Sequence, residues 1–254
     1  MSFLKNKKIL IFGVKNYFSI AWGIAISMYK QKAKLAFVYH NKKSKQKIIP
    51  LAKEVNSKII LQCDVNSDES IKKLFIKLFK IWGMFDGIIH SIAYVPRIQL
   101  NKDFIKTINR INFLNAIETN SFSLIAIIKE AEKFLNKKSS ILTLTYIGAI
   151  KCIPYYNIMG ITKAALESSV RYLSISMGKK NIRVNAISSG SIKTTASYVI
   201  KNFHKIMSTD RNYSPLNRNV TTKEIGNVAA FLCSDLSSGI TGQVIYVDVG
   251  RNIM

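Results

Sequence analysis

Short apolar runs alternate along the whole chain with longer segments of mixed polarity. Seven runs read as strands: Lys8–Gly13, Lys34–Tyr39, Lys58–Cys63, Gly87–His90, Ser140–Thr145, Arg183–Ile187 and Gln243–Val247. They are short, apolar and mostly β-branched or aromatic, as strands buried on both faces should be. Between them the pattern predicts helices over Ile20–Lys30, Ser67–Trp82, Asn115–Leu135, Tyr156–Met177 and Thr222–Ser234. This order predicts an α/β fold, a single Rossmann-type doubly wound parallel sheet of about seven strands with helices on both faces. Ligands of such sheets bind beyond the carboxyl ends of the strands. The segment from Thr194 to Arg218 fits the alternation least well. It is mixed in polarity and follows a strand end, so it reads as a lid or substrate-binding helix.

A chain of 254 residues with 48% hydrophobic content can bury one substantial core, and a single domain over residues 1–254 is expected. No repeat and no Pro/Gly/Ser-rich linker divides it. The basic start Met1–Lys8 precedes an apolar run, but Lys15 and Asn16 interrupt that run after Val14. It is too short for a signal peptide and lacks a small-residue cleavage site. No stretch of about 20 uninterrupted apolar residues follows, so no membrane span is expected. Cys63, Cys152 and Cys233 are widely spaced and suit free thiols in a reducing compartment; the expected location is cytoplasmic. His40, His90 and His204 are equally isolated, and no metal is assigned.

The net charge of +24 alone suggests a polyanion such as nucleic acid, and basic and aromatic residues interleave from Tyr29 to Lys47. The lysines are spread along the whole chain, however, which favours a solvated basic surface over a specific nucleic-acid site. Such a surface also attracts an acidic protein partner.

Four strand ends suit a dinucleotide. After the first, small residues stand at 13, 19, 21 and 23, although the run is not GxGxxG. Gly13 permits a sharp turn close to a pyrophosphate. Ser19 would cap the following helix and offer a hydroxyl and an N–H to phosphate. The second strand ends Tyr39-His40-Asn41-Lys42-Lys43, without the acidic residue that marks NAD. His40 can bond a ribose, while the lysines can equally accept a 2′-phosphate, so NADH and NADPH both remain open. Asp64 can accept from an adenine amino group with Val65 against the ring; its alternative role is a helix cap. In His90-Ser91-Ile92-Ala93 the small side chains let backbone run beside a ribose.

The most informative stretch runs from Thr145-Tyr146-Ile147-Gly148 to Lys163. Ordinary short-chain dehydrogenases carry a tyrosine four residues before the active lysine, where this chain has Met159. Tyr156 instead stands seven residues before Lys163. That is nearly two helical turns, so both side chains can share a helix face roughly 10 Å apart along the axis. When hydride adds to the β-carbon of a conjugated thioester, charge moves to oxygen, and a phenol there can bond or protonate it. Lys163 would hold ribose hydroxyls, and Tyr146 would orient the substrate. Taken singly, each tyrosine fits a core aromatic and the lysine a surface charge; their joint placement favours chemistry.

On these residues the chain resembles the NADH-dependent enoyl-acyl-carrier-protein reductases of bacterial type II fatty acid synthesis, a divergent short-chain dehydrogenase/reductase branch. The likeness runs from Gly13 to Asp248. It includes Arg183-Val184-Asn185-Ala186 and Phe231-Leu232-Cys233-Ser234-Asp235 besides the motifs above. The resemblance implies Tyr156 at the enolate, Lys163 at the ribose and Tyr146 in the substrate pocket. It implies Gly13, Ser19, Ile20, Asp64, Val65, Ile92, Ile192, Lys193, Thr194, Thr195 and Ala196 at the cofactor, beside the His40 read above from the second strand end. Val95, Met159, Ile200, Phe203 and Ile206 would line an acyl groove. An enoyl-acyl-carrier-protein substrate and a homotetramer are likewise implied. His40 stands where these enzymes commonly have glutamine, Ser191 where they have proline and Val249 where they have glycine. Ala93-Tyr94-Val95-Pro96-Arg97 replaces a more glycine-rich loop. The competing readings are a ketoacyl or other carbonyl reductase, which needs a tyrosine at 159, and a basic nucleic-acid-binding protein on the same scaffold.

Overall fold

In the computed structural model, which describes residues 2–100, 103–195 and 197–254, the apolar runs form seven strands. They are β1 (Lys8–Phe12), β2 (Lys34–Tyr39), β3 (Ile60–Gln62), β4 (Phe85–His90), β5 (Leu135–Tyr146), β6 (Arg183–Ser189) and β7 (Val244–Val247). All pair in parallel, in the order β3-β2-β1-β4-β5-β6-β7. The order reverses between β1 and β4, where Phe12 pairs with His90, and this opens a crevice at their carboxyl ends.

Strand alternation explains why both faces are covered. Ile9 and Ile11 of β1 enter one apolar core, and Leu10 and Phe12 enter the other. The first core is closed by α1 (Ile20–Lys30), α2 (Lys42–Glu54) and α9 (Thr222–Leu232). The second is closed by α3 (Asp68–Trp82), α6 (Ser123–Ala131) and α7 (Ile158–Gly178). Each large aliphatic side chain buried this way contributes about 1.5–3 kcal/mol. The short α4 (Phe104–Thr107), then α5 (Arg110–Ile117) and α8 (Phe203–Tyr213), lie off these layers.

Three sequence expectations need correction. Helix α2 was not foreseen: its lysines and Pro50 hide a stripe of Ile48, Leu51 and Ala52 that meets the core. An Asn41–Ser44 capping box starts it. The helix expected over Asn115–Leu135 is broken by a π turn at Glu118–Phe122, and Leu135 already belongs to β5. The stretch Arg110–Phe134 has the length and mean composition of a membrane span, but it is no uninterrupted apolar run, and half of its most apolar window is buried inside the fold. Finally, α7 begins at Ile158, so Tyr156 lies before the helix and not on it.

Candidate active site

Tyr146 is the last residue of β5, paired with Ser189 of β6. Tyr156 reaches the same place from a strained turn: Tyr155 and Asn157, on either side of it, have φ of 62° and 44°. Such values are costly outside glycine and persist where surroundings hold them. Here the Asn157 side chain donates to the Gln99 carbonyl at 2.9 Å. Gly148 leaves room for the Tyr156 ring, since a Cβ there would lie 2.5 Å from Tyr156 Cδ1. The two tyrosine rings meet at a centroid distance of 5.0 Å.

Lys163, in the second turn of α7, is buried, and its Nζ donates to the Leu144 carbonyl at 2.9 Å. Burial pushes its pKa down to about 8, with the nearby Glu167 carboxylate pulling the other way. Glu167 accepts from Thr145 Oγ1 at 2.8 Å. Burial raises the Tyr156 phenol well above its ordinary range and Tyr146 to about 12. His90 is fully enclosed between the Thr143 and Ser123 hydroxyls, at 2.8 and 2.9 Å. Burial, with the charge of Lys163 adding, pushes it down to about 3, so it is neutral at neutral pH.

The crevice begins at Gly13, whose φ is +92° and where a Cβ would lie 1.8 Å from the Ser91 carbonyl oxygen. No other residue fits there. Ser19 stands at the N-cap of α1, but its side chain does not cap the helix. It accepts instead from the Lys15 and Asn16 N–H groups, which tightens the loop and corrects the capping role expected for it. Asn16 Nδ2 bonds Thr195 Oγ1 at 2.6 Å across the opening. Ile20, Val65, Ile92 and Ile192 are half-buried along its walls, and Lys193 is exposed. Thr194 caps the Ser197 N–H. Asp64 does not cap α3, because Ser67 does; it faces His40 at 3.9 Å, both largely exposed. Ala196 lies outside the described residues.

Above the tyrosines, Val95, Met159 and Tyr156 share one apolar cluster with Leu100 and Ile158, and Ile200 packs against it. Beside it is a cavity of about 930 Å³ whose walls include Ile200, Phe203, Met207, Lys193 and Arg211. Ile206 is half-buried on α8 but lines neither. Among the described residues no group of His, Cys, Asp or Glu could hold a metal ion.

This arrangement can seat a dinucleotide beside a phenol and an ammonium. The family described as enoyl-(acyl carrier protein) reductase matches residues 13–252. The chain belongs to this family. It is 54% identical to the enoyl-[acyl-carrier-protein] reductase [NADH] FabI of Buchnera aphidicola subsp. Baizongia pistaciae, over all of this chain and 97% of that one. The enoyl-[acyl-carrier-protein] reductase (NADH) of Aquifex aeolicus VF5 superposes with a TM-score of 0.96 at 42% identity, covering 99% of this chain and 98% of the other. The reductase of Anaplasma phagocytophilum, in complex with NAD, gives 0.94 at 38%, covering 99% and 94%.

Sequence reasoning did not find Asp210 and Arg251, which bond each other at 2.9 Å beside Ser191. Asp210 is isolated in the sequence, and only the return of α8 toward the C-terminal turn brings the pair together. The roles of Gly148 and Asn157 in seating Tyr156 were equally hidden.

Proposed function

We propose that this chain reduces the trans-2-enoyl thioester of acyl carrier protein with NADH, adding hydride at the β-carbon, after which a proton taken up from solvent at the α-carbon converts the enolate to the saturated thioester. The observation that carries the reading is the Tyr156 hydroxyl. It makes no hydrogen bond among the described residues, although the ring is buried beside Tyr146. The residue is buried overall, yet its oxygen is not among the enclosed polar atoms left without a partner, which suits a donor kept for an oxygen that gains charge only during reaction.

The crevice residues fit NADH. Gly13 and the Ser19-bound loop would take the pyrophosphate, and Ile92 and Ile192 would flank the rings. Asp64 accepts from the Asn66 N–H and keeps lone pairs for an adenine amino group. Bound there, the nicotinamide supplies the hydride. Lys163, already held at the Leu144 carbonyl, would donate its remaining protons to ribose hydroxyls. Tyr156 would hydrogen-bond the thioester oxygen and hold it as the enolate forms, with Tyr146 bounding the pocket. Val95, Met159, Ile200 and Phe203 would receive the acyl chain under a lid formed by residues 194–218. The charge of +24 would draw in an acidic carrier protein.

Exposed Ile111, Leu114, Phe122, Tyr172 and Ile175 on and near α5 and α7 suit contacts between copies, in keeping with a homotetramer in the cytoplasm. Light scattering at four times 28.7 kDa would bear this out. The decisive assay compares NADH oxidation with crotonyl and acetoacetyl thioesters. Faster turnover of the ketone would reject the enoyl assignment in favour of a carbonyl reductase.

A further inference from the structure

The two phenols of the site are held differently. Tyr156 has no hydrogen-bond partner among the described residues, whereas the Tyr146 hydroxyl lies 3.2 Å from Ser191 Oγ. Ser191 in turn donates to Asp210 Oδ2 at 2.5 Å. Arg251 Nε donates to Asp210 Oδ1 at 2.9 Å. Ser191 and Asp210 are both buried.

Counting protons sets the direction of this chain. A serine hydroxyl carries one proton and a carboxylate none. Ser191 spends its proton on Asp210, so the proton between Ser191 and Tyr146 must come from Tyr146. Bonds to a charged acceptor in a buried setting are the stronger kind, which holds this order in place. Burial and the charge of Asp210 push the Tyr146 pKa up to about 12, so the phenol keeps the proton it donates. Arg251 anchors the far end from the C-terminal turn, and its guanidinium lies 5.6 Å from the centre of the Tyr213 ring on α8.

We propose that Asp210 is a positioning residue for the reaction: through Ser191 it commits the Tyr146 proton and leaves Tyr156 as the only phenol free to donate to substrate. This rests on the reading of Tyr156 as the enolate partner. Two phenols free to donate would compete for one thioester oxygen. With Tyr146 committed, that oxygen is drawn to Tyr156 alone.

Asp210→Asn reverses the order of protons. Arg251 retains the amide oxygen, so the amide NH2 faces Ser191. Ser191 then accepts from it and turns its own proton toward Tyr146, whose O–H is released. Ser191→Ala releases the same O–H and keeps the Asp210–Arg251 pair. The test places Tyr156→Phe in the wild-type, Asp210→Asn and Ser191→Ala backgrounds and measures kcat with NADH and the crotonyl thioester of coenzyme A. In the wild-type background the loss should be about 100-fold or more. In either variant it should be smaller by at least about fivefold, because a released Tyr146 substitutes in part. Equal losses in all three backgrounds would overturn the proposal and leave the Tyr156 assignment standing. An unchanged kcat for Tyr156→Phe alone would overturn both. Independently of turnover, NMR of the full chain with 13Cζ-labelled tyrosine should show the Tyr146 resonance, assigned by Tyr146→Phe, moving in both variants. A Tyr146 resonance that stays in place would overturn the proposal by itself.

Discussion

The Tyr146 and Tyr156 rings meet edge to face, 5.0 Å between centroids and 65° between planes. Contacts of this kind are worth about 0.5–1.5 kcal/mol beyond burial, so packing fixes the Tyr156 ring without using its hydroxyl. Tyr156→Phe keeps the ring and removes only the donor. Turnover with an enoyl thioester should fall about 100-fold or more while the NADH Kd stays within about twofold. Fluorescence titration beside steady-state kinetics separates the two quantities, and an equal loss of NADH binding would contradict the role.

Gly148 tests how closely that ring must sit. A Cβ at this position would lie 2.5 and 2.7 Å from two carbons of the Tyr156 ring. Gly148→Ala should therefore displace the phenol and lower kcat by about tenfold or more, since small misplacements at a reacting centre are costly. Circular dichroism should show an intact fold. Wild-type kcat in the alanine variant would mean that the ring's position does not matter.

Lys163 gives a pH dependence with a definite sign. Its pKa falls from 10.5 in an unstructured chain to about 8 in the fold. Between those values the unfolded chain holds more protons at this site, so the lysine's contribution to stability rises with pH across that window. Below about pH 8 the full cost of burying the charge is present, on the order of 3 kcal/mol. Lys163→Met should exceed the wild type in urea stability at pH 7, and the gap should close by pH 10. NADH affinity should be far weaker in the variant at either pH. A gap that widens with pH would refute the buried ammonium.

Val249 is β-branched yet has φ of 56°. A side chain held in that region costs about 1–3 kcal/mol, and glycine returns about 0.5–1 kcal/mol of this through its greater freedom when unfolded. Val249→Gly should gain about 1 kcal/mol and raise Tm by about 2–4 °C. A lower Tm in calorimetry would show that the Val249 side chain supplies more packing than its backbone costs.

The sheet was legible in the sequence because each strand is buried on both faces and is therefore continuously apolar. Ile9 to Phe12 show this in four consecutive residues. The Tyr156–Lys163 spacing was legible too, although the geometry behind it differs. The turn held by Asn157 and Gln99 delivers Tyr156, and one shared helix face does not. Helix α2 escaped notice because its apolar stripe is narrow and lysine-rich flanks dominate the pattern. The Ser191–Asp210–Arg251 chain is built from three separate segments, so no local spacing announces it.

The bond from Asn16 to Thr195 spans the mouth of the crevice, and it is exposed. One such contact is worth about 1 kcal/mol, a bias of only about fivefold toward the joined form. A dinucleotide entering here would have only this one weak, solvent-facing contact to displace, and the strands beneath it need not move.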